Sequence, residues 1–275
     1  MVQAGESGVE LFDAGEGLVG ARSQLAAMLD FDPEYFGISR QEARLMDPQQ
    51  RHLLMACVQA LEHAALVPSA QGPRIGLIAS CGETTYFQQL LRQADETELP
   101  DGFQMALHHD KDFLATKAAY HLNLNGPAMS VQAACGSSLI DVHLAAALLR
   151  QGGVLVDPTL TDGYRYRPQH IFSRDGQCRP FSDDASGTLG ASGYGVVVLK
   201  PLARAQRDGD RIYGVIEASA LNNDGRDKMS YTAPSVAGQS AVIRWTRPAC
   251  AASISAMSRP MAPARCWAIR SKSRP

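Results

Sequence analysis

Hydrophobic and polar positions along the chain fall into blocks that read in turn as loop, helix and strand. The opening block, MVQAGESGVELFDAGEGLVGARSQL, is glycine-rich with weak periodicity and reads as loop. Order begins with GISRQEARLMDPQQRHLLMACVQALEHAAL, where Ser39 and Glu42 form a capping-box pattern and Asp47-Pro48 opens a second helix. RIGLIAS (Arg74–Ser80) is a short apolar run that reads as a buried strand, followed by a helix around Thr85–Ala94. KDFLATKAAYHLNLNGPAMSVQAACGSSLIDVHLAAALLRQGG then predicts helix, turn at Asn125-Gly126-Pro127, strand, and a helix whose apolar face carries Leu139, Val142, Ala146 and Leu149. Beyond it come a loop-rich stretch, the apolar run GYGVVVLK, a basic connector, a strand in RIYGVIEASAL and a helix starting at VAGQSAVIR. Alternating helices and continuous apolar strands predict a layered α/β architecture.

Composition narrows the class. The chain has 275 residues, 45% hydrophobic and 20% charged, enough material for a buried core. A net charge of −2 argues against a general binder of nucleic acid or anionic membrane, although everything after Asp227 lacks Asp and Glu. No apolar run reaches transmembrane length and no signal segment opens the chain, so the expectation is a cytoplasmic protein with no membrane partner. Cys57, Cys81, Cys135, Cys178, Cys250 and Cys266 are scattered, without metal-ligand spacing, so no metal site or disulfide framework is expected.

Cys135 lies where the strand of AMSVQAA meets the following helix. A helix N-terminus favours the thiolate, the reactive form of a thiol. The small neighbours Ala133, Ala134, Gly136 and Ser137 permit a tight turn whose backbone N–H groups could serve as an oxyanion hole. From the residues alone two readings stay open: a nucleophile, or a small cysteine packed between strand and helix.

Four blocks in order carry a family resemblance: FDPEYFGISRQEARLMDPQQRHLL, DFLATKAAYHLNLNGPAMSVQAACGSSL, GQCRPFSDDASGT and NNDGRDKMSYTAPSVAGQSAVIR. They extend from about Phe31 to Arg244, and over that span the chain resembles the N-terminal half of a β-ketoacyl synthase, the ketosynthase domain of modular polyketide synthases. The resemblance implies a thiolase-like layered α/β/α fold, incomplete here, and a partial synthase domain over residues 1–244. It implies Cys135 as nucleophile, matched through AACGSSL to a family block resembling TACSSSL. It also implies acyl transfer from the phosphopantetheine of an acyl carrier protein, then decarboxylative Claisen condensation with a malonyl-type thioester. No bound cofactor is expected, and a homodimer or pairing with an intact synthase is in keeping with the family. Two family histidines, in motifs resembling HGTGT and NxGH, are needed to form the carbanion, and neither motif occurs in this sequence.

Other departures bear on activity. Nothing before Phe31 resembles the family's first strand, IAIVGM, and between LLRQ and GGVLVDP most of a strand resembling CDLALAGG is missing. The C-terminal half is expected to be lost as well, and the tail AMSRPMAPARCWAIRSKSRP accounts for that loss. Codons can be chosen for this tail so that, read from the third base of each, they encode YVEAHGTGTLLGDPIEIEA, the family's histidine block. Some positions leave no choice: Met-Ala must give Gly, Cys-Trp must give Leu, and Trp-Ala must give Gly. The expectation is a frame change near Arg244, with residues 245–275 a disordered tail that nothing matched to the core. The chain is then inactive in condensation on its own, or serves only as a non-enzymatic interaction fragment. The competing reading of the tail is a basic arm for nucleic acid or an acidic partner.

The remaining candidates read as structural. GTLGASGYG lacks the Lys-Ser/Thr of a P-loop and leads into a strand. His52, His63 and His143 on predicted helices, and His108-His109 before one, are expected in surface or capping roles. Asp183 and Asp184 read as a solvated loop, and Asn222–Gly225 as a turn.

Overall fold

The computed structural model describes residues 7–93, 99–148, 153–155, 162–168, 170–180, 182–226, 228, 233, 235–246 and 267–270. Two compact units interleave along the chain. One comprises Met1–Met55, Cys81–Phe113 and Val154–Gly195; the other comprises Ala56–Ser80, Leu114–Gly153 and Val196–Pro275. Among the described residues no helix is long and apolar enough to cross a membrane.

In the first unit the glycine-rich start is not wholly loop. β1 (Glu10–Leu11) and β2 (Ala21–Arg22) pair antiparallel, and a bidentate Arg22–Glu10 ion pair ties them together. Strands this short leave no periodicity to detect. The Ser39 half of the capping box forms: Ser39 Oγ accepts from Glu42 N at 3.1 Å and starts α1 (Arg40–Leu45). Asp47 then caps α2 (Pro48–His63), accepting from Gln49 N at 2.8 Å. α3 (Thr85–Gln93) falls where its spacing placed it. α4 (Gly102–His109) was not foreseen, although Asp101 caps it by accepting from Phe103 N and Gln104 N. His108 and His109 therefore lie in the last turn of a helix and are buried, where surface or capping roles just before one were expected.

The polar start of α2 is buried too, because each side chain finds a backbone partner. Gln49 accepts from Gly82 N at 2.7 Å and donates to the Glu83 carbonyl at 3.2 Å. Arg51 donates to the carbonyls of Met46 and Leu29 and lies over the Tyr86 ring. His52, expected in a surface or capping role, is buried; its Nε2 lies 2.8 Å from the Met28 carbonyl and its ring stacks on Tyr194.

The second unit holds the strand-to-helix junction. β3 (Leu77–Ala79) is fully buried and pairs in parallel with β4 (Ala128–Ser130), Ile78 opposite Met129. α5 (Leu114–His121) packs on both strands through Leu114, Ala115, Ala118 and Ala119. α6 (Ser137–Leu148) follows β4 and packs on β3. Its most buried side chains are Ser137, Asp141 and Ala145, one ridge at four-residue spacing. The predicted apolar face is only half-buried at Leu139, Val142 and Ala146, and Leu149 lies outside the described residues.

Residues 153–155 of the shortened segment form β5 (Gly153–Leu155), paired with β6 (Gly193–Gly195). The rest of GYGVVVLK is irregular, with Val197 and Val198 exposed, and the basic connector forms α7 (Leu202–Arg207). β7 (Val215–Ser219) and α8 (Val236–Thr246) lie where the pattern placed them. Within the tail, β8 (Trp267–Arg270) pairs antiparallel with β7, Ile269 opposite Ile216. Four residues of extended backbone need only an open strand edge to pair. The expected boundary at residue 244 falls inside α8, and most of 245–275 lies outside the described residues.

Candidate active site at the cysteine turn

Cys135 is exposed, in a single 3₁₀ turn (Ala134–Gly136) between β4 and α6. The chain leaves β4 with Val131 N donating to the Ala79 carbonyl at 2.9 Å, which carries the sheet register one residue further. Ala134 has φ +49°, a left-handed conformation that costs a side-chain-bearing residue about 1–3 kcal/mol. The small side chains flanking Cys135 make such a turn sterically possible, as their pattern implied.

Ser137 holds the turn closed. Its Oγ accepts from Ala133 N at 2.7 Å and donates to the Ala134 carbonyl at 2.8 Å, while Gly136 N donates to the Ala133 carbonyl at 3.1 Å. Below the turn, Ser80 Oγ at the end of β3 donates to Asp141 Oδ2 at 2.5 Å, with both residues buried. This contact bolts α6 to β3 one helical turn beyond Ser137. In the sequence Ser137 was noted only as a small neighbour of Cys135, and neither Ser80 nor Asp141 was given a role. The available signal was Asp141 itself, a lone acid flanked by Leu139, Ile140 and Val142.

The other candidates are not gathered around Cys135 by any contact among the described residues. His143 Nδ1 lies 2.8 Å from Ser219 Oγ, and His63 Nε2 lies 2.7 Å from the Tyr213 hydroxyl. Asp183 and Asp184 are exposed in a turn, as expected. The Asn222–Gly225 turn closes through Gly225 N donating to Asn223 Oδ1, with Gly225 at φ +59°, and Asn222 Nδ2 donates to the Gly238 carbonyl of α8. Among the other thiols, burial pushes that of Cys57 up to about 12, which leaves it unreactive near neutral pH. No group of His, Cys, Asp and Glu among the described residues could hold a metal ion.

Cys135 thus stands exposed on a strained strand-to-helix turn, and comparison with known proteins shows the family of the domain that carries it. Residues 10–205 match the model of the β-ketoacyl synthase N-terminal domain. A phenolphthiocerol/phthiocerol polyketide synthase polypeptide of Mycobacterium tuberculosis is 41% identical over 231 residues, covering 78% of this chain and 15% of that protein. The hybrid PKS-NRPS synthetase TAS1 of Gloeophyllum trabeum is 39% identical over 251 residues, covering 87% of this chain and 16% of its own length. Among solved structures, ketosynthase twelve of the bacillaene polyketide synthase from Bacillus amyloliquefaciens superposes with a TM-score of 0.83 at 30% identity, over 91% of this chain and 48% of that one. The ketosynthase of module 1 of the bacillaene synthase from the same species gives 0.78 at 31% identity, over 91% of this chain and 47% of that one. The chain thus spans 15% of the length of the Mycobacterium relative and 48% of one solved ketosynthase. On the extent of that match the fold is thiolase-like, and the chain belongs to the β-ketoacyl synthase family through its N-terminal domain.

Proposed function

We propose that this chain is a ketosynthase fragment in which Cys135 accepts an acyl group from a thioester carried on the phosphopantetheine of an acyl carrier protein. The observation that carries this reading is the exposed thiol on a strained turn that ends at the start of α6. Family membership supports it. In the step, the Cys135 thiolate adds to the thioester carbonyl carbon and the carbonyl electrons move onto oxygen. Collapse of the tetrahedral oxyanion expels the pantetheine thiolate, which takes up the proton released from Cys135. The N–H groups of Ala133, Gly136 and Ser137 are bonded within the turn, so the backbone N–H of Cys135 and those of α6 beyond Ser137 are the candidate donors for the oxyanion.

Condensation asks more. Decarboxylation of a malonyl-type extender leaves a carbanion, and the family motifs that would supply histidines for it are absent from this sequence. The 275-residue chain is thus read as competent at most for the acyl-transfer half of the reaction. Incubation of the purified protein with a short acyl-pantetheine thioester, followed by peptide mass spectrometry, tests the assignment. The expected result is one acyl increment on the Cys135 peptide, absent in Cys135→Ala. A folded protein left unacylated, or labelled equally at Cys178, would favour a non-enzymatic fragment.

A further inference from the structure

We infer that the arginine-bearing loop closed by Tyr164 and Ser173 is a docking surface for the carrier protein, met through an acidic face of that partner; this rests on the carrier-borne thioester of the proposed function. From Gly163 to Arg174 the sequence holds Arg165, Arg167, His170 and Arg174 and no Asp or Glu, in a chain whose net charge is −2. The base of the loop is fixed on both sides. Val19 N donates to the Tyr164 carbonyl at 2.8 Å and Tyr164 N to the Val19 carbonyl at 3.1 Å. Ser173 N donates to the Thr188 carbonyl at 2.7 Å and Thr188 N to the Ile171 carbonyl at 2.8 Å. Across the loop, Tyr164 Oη donates to the Ser173 carbonyl at 2.8 Å, and the Tyr164 ring lies 4.8 Å from that of Phe172. A base tied in this way has little freedom left to lose when a partner binds.

Above that base Arg165, Tyr166, Arg167, His170, Ile171 and Arg174 are all exposed. Other surface arginines stand against acids: Arg22 on Glu10, Arg40 on Glu34, Arg179 on Asp175 and Arg204 on Asp208. Arg165, Arg167 and Arg174 meet no carboxylate among the described residues. The acids that flank the loop are engaged elsewhere, Asp162 by attraction to Arg22 and Asp175 by Arg179. Positive charge is thus left uncompensated around the exposed Tyr166 and Ile171, and arginine with tyrosine is the composition of protein interfaces. These arginines are fewer than the about four to eight cations that mark an anionic-lipid surface. The negative net charge of the chain works against a nucleic-acid backbone. An acidic protein face is the occupant that fits, and a carrier brings further negative charge through the phosphodiester of its pantetheine arm.

The test is binding of a labelled, phosphopantetheinylated acyl carrier protein rich in Asp and Glu to the full-length chain, read by fluorescence anisotropy. The wild type should bind it, and binding should weaken as salt rises from about 0.1 to 0.5 M. The combined variant Arg165→Glu, Arg167→Glu, Arg174→Glu should bind about tenfold more weakly or worse with its thermal midpoint unchanged, whereas lysine at the same positions should keep most of the affinity. Acylation of Cys135 by a short acyl-pantetheine thioester, which has no carrier to dock, should be equal in wild type and variant, so failure of the thiol and failure of the docking surface are told apart. Slower acylation by that small thioester in the variant would tie the arginines to the thiol instead and overturn the inference. So would undiminished carrier binding in the folded variant, no carrier binding by the wild type, or tighter binding of a single-stranded oligonucleotide than of the carrier. If the combined variant fails to fold, Arg167→Gln and Arg174→Gln are measured singly: weaker carrier binding in each supports the inference, and no loss in either defeats it.

Discussion

Ser137 Oγ accepts the backbone N–H of Ala133 at 2.7 Å and so spans the turn that presents Cys135. The same hydroxyl donates to the Ala134 carbonyl, the residue that bears the left-handed strain. Ser137→Ala removes both partners at a buried site while leaving Ala133 N without its acceptor, so the loss should be about 1–3 kcal/mol. Denaturant unfolding measures the stability change, and acylation of Cys135 should slow in parallel because the turn relaxes. Ser137→Thr, which keeps a hydroxyl, should recover most of both. Unchanged stability in Ser137→Ala would mean that the hydroxyl does not hold the turn.

His52 gives the protein a pH dependence with a definite sign. Burial is the largest influence and holds its imidazole below the ordinary histidine value, against the opposing pull of its contact with the Met28 carbonyl. The unfolded chain therefore binds the proton more readily than the folded one. This contribution to stability is fully present above the unfolded value of about 6.5 and is lost as pH falls below it toward the lowered folded value. Thermal midpoints measured from pH 7.5 down to 5 should fall more steeply in the wild type than in His52→Gln. Parallel curves would show that His52 does not titrate differently on folding.

The thiols should separate cleanly by environment. Cys57 is 4% exposed with its thiol pushed up to about 12, whereas Cys135 and Cys178 are open to solvent. Brief iodoacetamide treatment of native protein at pH 8, read by peptide mass spectrometry, should label Cys135 and Cys178 and spare Cys57 until denaturant is added. Labelling of Cys57 at the rate of Cys135 in native protein would show that the core around α2 opens readily.

No β-keto product should form from acyl and malonyl thioesters with the purified chain, since carbanion formation needs a proton-handling group that the family draws from motifs missing here. Product detected by mass spectrometry would show that other residues can take that role.

The gene sequence across the codon for Arg244 tests the origin of the tail. The bases beyond it, read from the third base of each codon, should spell the histidine block resembling YVEAHGTGT. Codons for Pro260 and Ala262 that forbid the His and Thr readings would remove the frame-change explanation.

Much of this protein was legible before folding. The Ser39 cap of α1, the Asp47-Pro48 start of α2, the helix at Thr85, the strand in RIGLIAS and the junction at Cys135 are local, because each depends on residues within a few positions of one another. The four ordered blocks carried the family for the same reason. Other features depend on residues far apart in sequence. β1 and β2 are too short to show a period and exist through their pairing. His52 and Arg51 look like surface residues of a helix until the carbonyls of Met28 and Leu29 on another segment meet His52 Nε2 and the Arg51 guanidinium in the interior. The Cys135 turn divides the same way: its small residues, a matter of sequence, permit the bend, whereas its closure and backing come from Ser137 on the next helix and from Ser80, 61 residues before Asp141. Local spacing determined which elements form and where the thiol lies along the chain. Only the tertiary structure decided which polar groups could be buried, since a hydrogen-bond partner contributed from elsewhere offsets the cost of taking them out of water.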